Sequence, residues 1–197
     1  MPAHKLLLYP DDPDYRPATP GTLLARLQDI GLAGDEFDVQ GETRYLAGEH
    51  FLHLITFLGC SPAIEFEPPS DPDAREPAAI TGGFCHISLT LTGNHPAFRG
   101  GEDVPPPRCP SCRKPVSGWQ QAVDAWRKAP ASDAWSCMRC TYTGHIHELD
   151  FRRHGGFAHT FIDIWGIHPS EAVPVDALLA SLADFSGTGW NYMYVKE

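Results

Sequence analysis

A chain of 197 residues with 42% hydrophobic side chains is long enough to bury a core and has the make-up of a soluble globular protein. Its formal net charge of -10 argues against nucleic-acid binding by the whole chain, because phosphate contacts draw on a basic face. The apolar run near the start, residues 6–9, is too short for a signal-peptide core or a membrane span, which points to a cytoplasmic product and to no membrane role.

Residues 5–9 read as a strand, followed over 10–18 by an acidic, proline-rich loop. Thr19-Pro20 is a helix N-cap with proline in the first turn, and Leu23, Leu24, Leu27 and Ile30 recur at helical spacing until Gly31, so a helix is expected over 22–30. A connector over 35–41 leads to strands over 42–46 and 51–58, joined by a turn containing Gly48-Glu49. Residues 65–77 hold Pro68, Pro69, Pro72 and Pro77 among five acids and read as an exposed loop. Over 83–92, Ile87, Leu89 and Leu91 alternate with His86, Ser88, Thr90 and Thr92, the pattern of a half-buried strand.

Residues 99–107, with Gly100-Gly101 and Pro105-Pro106-Pro107, read as a linker. Over 118–128, Trp119, Val123 and Trp126 share one helical stripe. Residues 145–152 and 157–165 form an expected hairpin around His154-Gly155-Gly156. Val175, Leu178, Leu179 and Leu182 mark a second long helix over 175–183, and 190–195 is a last, aromatic strand. The expected class is α+β: a mainly antiparallel sheet of about seven or eight strands, with the helices over 22–30 and 175–183 covering one face. Residues 1–104 and 145–197 form one domain in this reading, with 105–144 inserted as a separate module.

The strongest chemical signal lies in that insert. Cys109-Pro110-Ser111-Cys112 is answered by Cys137-Met138-Arg139-Cys140, and two Cys-x-x-Cys pairs can turn four thiolates toward one tetrahedral ion. The competing reading is a pair of redox dithiols or disulfides. Arg113 and Lys114 can offset the thiolate charge, and Gly144 eases a tight turn after the second pair. Over about residues 108–144 the pattern resembles the zinc-ribbon family, whose members carry Cys-Pro-x-Cys and then Cys-x-x-Cys; the helix between the pairs departs from it. One structural zinc ion is therefore expected on Cys109, Cys112, Cys137 and Cys140. Four protein ligands leave no open position for chemistry.

Between Arg108 and Cys140 six basic residues face two acidic ones, so the module is weakly basic even after four thiolates and one zinc ion are counted. Trp119, Trp126 and Trp135 with these basic residues suggest a surface for a protein partner, although the tryptophans suit a small core equally well. Nucleic acid is the weaker alternative, for want of a basic stripe.

Three strands end alike, at Gly59-Cys-Ser-Pro62, Gly93-Asn-His-Pro96 and Gly166-Ile-His-Pro169, either as copies of one unit or because glycine and proline commonly end strands. His86 and His159 each lie seven residues before such a glycine. If their strands are neighbours, His86, Thr90, His159 and Asp163 gather on the polar face, where His86, His159 and Asp163 could bind a second metal or serve as acid and base. Backbone hydrogen bonding by these groups is the plainer reading. His145 and His147 read as a solvated edge, and Cys60 and Cys85 as buried thiols lacking a catalytic signature. No phosphate loop, dinucleotide fingerprint, serine elbow or His-Glu-x-x-His is present, so common enzyme readings lack their hardware.

Overall fold

The computed structural model describes residues 3–59, 64–68, 77–101, 103–131 and 133–196. Cys60 and most of the proline-rich loop lie outside them. The central sheet has the strand order β12-β1-β10-β5-β3-β2, with β1 His4–Pro10, β2 Ala33–Val39, β3 Glu42–Ala47, β5 His86–Leu91, β10 Thr160–Trp165 and β12 Trp190–Lys196. All its neighbouring pairs are antiparallel. The class is α+β, as expected, but the strands divide differently. Besides the six-stranded sheet there are three two-stranded ones, β4 (Ile55–Phe57) with β11 (Ala172–Pro174), β6 (Ala97–Gly100) with β9 (Gly155–Ala158), and β7 (Ala134–Ser136) with β8 (Thr143–His145).

Alternation along the strands gives the sheet two faces. Leu6, Leu8, Ile87, Ile162 and Ile164 point to one side and pack with Leu23 and Leu27 of α1 (Pro20–Asp29) and Leu178 and Leu182 of α5 (Asp176–Ser186). Both long helices thus cover one face, because each carries its leucines at a spacing of four. Thr19 and Thr22 form a reciprocal capping box that starts α1, and Arg26 of α1 donates to Ser181 of α5 across 2.7 Å. The opposite face carries Leu7, Phe161, Met193 and Val195, against which Ala97 and Ala158 of the β6–β9 sheet pack.

Four expected elements are corrected. Residues 35–41 are no connector: β2 pairs with β3 through Gln40 and Gly41, whose φ angles of 55° and 85° make the two-residue turn typical of hairpins. Its acids Asp35, Glu36 and Asp38 masked it, and they suit a strand at the edge of a sheet. The strand expected over 51–58 is one helical turn, α2 (Phe51–Leu54), followed by β4; Phe51 and Ile55 are buried four apart while Leu52 is exposed, which is a helical period. The linker expected over 99–107 begins inside β6. The hairpin expected between 145–152 and 157–165 does not form: Ile146–Glu148 is a 3-10 turn, and β9 pairs with β6. Glu148 causes that turn by accepting from the His145 backbone N–H and the Tyr142 hydroxyl.

The three similar strand ends have different settings. β5 and β10 are antiparallel neighbours in the central sheet, whereas β4 belongs to another. Gly166 is left-handed, and a Cβ there would meet the Phe84 carbonyl oxygen at 2.9 Å; Gly59 and Gly93 face open space.

Candidate metal centre and the polar face of the sheet

The two Cys-x-x-Cys segments fold as matched knuckles. The backbone N–H of Cys109 donates to the carbonyl of Lys114 at 3.0 Å, and that of Cys137 donates to Tyr142 at 2.8 Å, the same five-residue reach in each. The residue after each pair takes the left-handed conformation, Arg113 at φ 60° and Thr141 at φ 58°. These residues, and not Gly144, make the turns. Gly144 is needed for a different reason, since a Cβ on it would run into the Tyr142 ring and the Glu148 carboxylate.

Folded in this way, the sulfurs of Cys109, Cys112, Cys137 and Cys140 all lie within 4.8 Å of one another. Cys109 Sγ is 3.8 Å from Cys140 Sγ, and Cys112 Sγ is 3.9 Å from Cys137 Sγ. A tetrahedron of sulfurs around zinc at about 2.3 Å has edges of about 3.8 Å, so the donor set fits the ion. None of the five described cysteines is in a disulfide. The sulfurs also bias one another's protons: Cys140 is drawn down to about 7, first by the Tyr142 backbone amide and then by its sulfur neighbours. Cys112 is pushed up to about 11, the Lys114 amide opposing the push and burial and the other three thiols supplying it. Among the described residues no other group of three or more His, Cys, Asp or Glu side chains could hold a metal ion.

Between the knuckles runs α4 (Trp119–Lys128), as its stripe required, and Trp119, Val123 and Trp126 are buried. They pack with Cys109, Cys137, Ile146, Leu149, Phe151 and Phe157, with Phe98 alongside, so this cluster continues past residues 105–144 into β6 and β9. The expectation that Trp119 and Trp126 face a partner is corrected: they fill the cluster. Met138 at the tip of the second knuckle is the exposed apolar side chain here, at 96%.

His86 and His159 are both buried, but they are not brought together. Because β5 and β10 run antiparallel, equal offsets in sequence send His86 and His159 to opposite ends of the pair: His86 stacks on Trp165, and His159 bonds Thr92. Six residues of strand separate those ends, about 20 Å. Both rings are also fully engaged. His86 donates from Nδ1 to the Phe84 carbonyl and accepts from Arg44 at Nε2, both at 3.0 Å. Burial, then Arg44 and Lys5, drive its pKa down to about 4. His159 accepts from Arg16 at 3.1 Å, and its Nδ1 lies 2.9 Å from the Thr92 hydroxyl, which itself donates to the His95 carbonyl. Since arginine can only donate, each imidazole is neutral with its proton on Nδ1. Asp163 lies between the two ends, where its two oxygens accept from Arg99 Nη1 at 2.7 and 2.8 Å and one of them also accepts from the Thr90 hydroxyl at 3.1 Å. His145 pairs with Asp133 at 2.7 Å and stacks on His147, while burial pushes the Cys85 thiol up to about 12.

The residues that the sequence reading passed over form the polar part of the sheet's second face. Lys5 lies opposite Trp165 in register, and its ammonium sits 3.6 Å from the centre of that ring; the Arg44 guanidinium is 4.1 Å from the same ring. With Ser88, Arg99 and Asp163 they line an open trough of about 650 Å³. Alternation marks Lys5 against Leu6 and Leu8, and Trp165 against Ile162 and Ile164, but β3 had to be placed beside β5 before Arg44 could join them.

No family model matches this chain, and neither a curated protein nor a solved structure matches it. Among the described residues, no helix is long and apolar enough to cross a membrane.

Proposed function

We propose that the chain is a non-catalytic zinc-binding protein. One zinc ion held by Cys109, Cys112, Cys137 and Cys140 folds the segment 105–144 in a reducing, cytoplasmic setting. The observation that carries this reading is the sulfur geometry, two contacts of 3.8 and 3.9 Å within a set no wider than 4.8 Å. Zinc would supply a fixed cross-link between two knuckles and no reaction, because all four positions around it are taken. The chain's own residues then support the link: the Lys114 and Tyr142 carbonyls accept from the Cys109 and Cys137 backbone N–H groups, and α4 closes the apolar side.

A protein partner is part of the proposal. With Trp119 and Trp126 buried, the groups left to meet it are the half-buried Trp135, the exposed Met138, and the basic Lys114 and Arg139, which suit an acidic surface. Metal content by mass spectrometry on protein purified without added zinc tests the site. One zinc per chain is expected in the wild type and none in Cys109→Ser, Cys137→Ser. A wild type without zinc, or a variant that keeps its zinc, contradicts the reading.

A further inference from the structure

We propose that the cavity between the outer edge of β12, the β4–β11 ribbon and the turn at residues 152–154 binds a small amphiphilic acid. Its hydrocarbon body sits on Leu58, Val173 and Tyr194, and its carboxylate or phosphate head is met by Arg152, Arg153 and Lys196. The proposal goes beyond the metal reading and does not depend on it.

The apolar half comes from how the strands end. β12 lies at the edge of the central sheet, so one side of it is left for other segments to cover. The turn at 152–154 covers part, its Arg153 carbonyl accepting the Tyr194 N–H at 3.1 Å. Beside it, Leu58 follows β4 and is held by its N–H on the Glu171 carbonyl at 2.8 Å. The space between these segments has a volume of about 370 Å³, at the small end of the range of about 300 to 1,000 Å³ found for ligand pockets. Leu58 is 60% exposed, yet it does not stand alone: Val104, Val173 and the Tyr194 ring share its wall. The Tyr194 hydroxyl is already spent on the Ala172 carbonyl at 2.7 Å, so that ring offers hydrocarbon.

The charged half is a set of cations without carboxylates of their own. Arg152, Arg153 and Lys196 border the cavity against one acid, Asp103. In a chain with 25 acids to 15 lysines and arginines, carboxylates are in excess, and Arg26, Arg44, Arg113 and Arg127 each hold one. Among the described residues Arg152, Arg153 and Lys196 form no ion pair. Asp150, next but one to Arg152, is taken by the Arg113 side chain and the Arg152 backbone N–H. Arg152 gives one N–H to the Pro106 carbonyl at a long 3.4 Å, and the Arg153 guanidinium lies 4.3 Å from the centre of the Tyr192 ring, so both keep protons to donate. Burial and then Tyr192 raise the pKa of the Tyr194 phenol, and Arg153 is close enough to oppose the rise, which puts its charge beside the apolar wall. Guanidinium groups match carboxylate and phosphate oxygens, and on a chain of net charge -10 this rim gathers acids that the rest of the surface repels. The backbone marks the same place. Six described residues other than glycine are left-handed. Gln40, Arg113 and Thr141 make the hairpin and knuckle turns, whereas Arg152, Arg153 and Ser170 all border this cavity. Left-handed residues with side chains cost free energy and gather at ligand sites.

The test is an NMR titration of isotope-labelled full-length protein, as purified, with octanoate, octyl phosphate and octanol in turn. Saturable shifts centred on the Val173, Tyr194 and Lys196 amides are expected for at least one of the two acids, with octanol bound at least tenfold more weakly. Tighter octanoate assigns a carboxylate head, and tighter octyl phosphate a phosphate head. Arg152→Gln with Arg153→Gln should weaken the acid at least tenfold and leave octanol unchanged. Leu58→Glu should abolish binding of the acid, and Lys128→Gln, on α4 away from the cavity, should change nothing. These four side chains are exposed, so the fold survives each change. No saturable shifts at those amides, octanol bound as tightly as the better acid, or acid binding undiminished in the double arginine variant or in Leu58→Glu overturns the proposal. Those outcomes leave zinc content untouched, so failure here is distinct from failure of the metal reading.

Discussion

Around the central sheet, Leu6, Leu8, Leu23, Leu27, Ile162, Ile164, Leu178 and Leu182 are fully buried between six strands and two helices. In the cysteine module the corresponding cluster has fewer buried side chains: the ten-residue α4 and the short β7–β8 hairpin share Val116, Trp119, Val123, Trp126 and Ile146 with Leu149, Phe151 and Phe157 beyond them. The first region removes enough apolar surface from water to hold itself. The second, with fewer buried side chains, is expected to depend on a cation at its four sulfurs. What joins the two regions is the β6–β9 ribbon, through Phe98 and Phe157 on the module side and Arg99 on the sheet side. Metal should therefore control one region and leave the other nearly unchanged.

The largest effect that could break this contrast comes from the metal. Stripping zinc, or Cys109→Ser with Cys137→Ser, should remove about 10 kcal/mol of folding free energy from the module. Hydrogen exchange should then rise throughout residues 103–150 while β1, β5 and β10 keep their protection. Uniform loss of protection would show that the central sheet needs the metal too.

A smaller effect is expected where the regions meet. Asp163→Ala removes the carboxylate that accepts from Arg99 and from the Thr90 hydroxyl, and should cost about 2 kcal/mol in urea unfolding. Zinc content should stay at one per chain, because the change lies on the sheet side of the ribbon.

Acid sharpens the contrast from the sheet side. The folded pKa of His86 is lowered from 6.5 to about 4, so the unfolded chain binds the proton more readily between those values. His86 thus contributes stability that is full above about pH 6.5 and is lost as pH falls through about 4, up to roughly 3 kcal/mol at about 1.4 kcal/mol per unit. His159 and His4 are shifted in the same direction, also first by burial. Urea midpoints measured from pH 7 to pH 4 should fall less steeply in His86→Gln than in the wild type; parallel curves would contradict the assignment. The smallest effect is local to α1. Thr19→Ala removes the capping box and should cost about 1 kcal/mol with no change in metal content.

Much of this architecture can be read from the residues alone, and the failures share a cause. Thr19-Pro20 and the leucine spacing locate α1, and the tryptophan stripe locates α4, because helix signals are local. The four-cysteine cluster is legible for the same reason, since each knuckle is a closed turn of six residues. β2 was hidden by acids that make sense only once it is known to lie at the sheet's edge. His86 and His159 share an offset from a glycine, but on antiparallel neighbours that similarity becomes a separation. The Lys5, Arg44 and Trp165 cluster draws on three strands far apart in the chain, and no local pattern gives their order.

The most direct test of the central claim is X-ray absorption at the zinc edge on the purified protein. The account predicts four sulfur scatterers at about 2.3 Å and no nitrogen or oxygen in the first coordination sphere. A shell with nitrogen or oxygen would mean an incomplete set of thiolates, an open coordination position, and a site that is not purely structural.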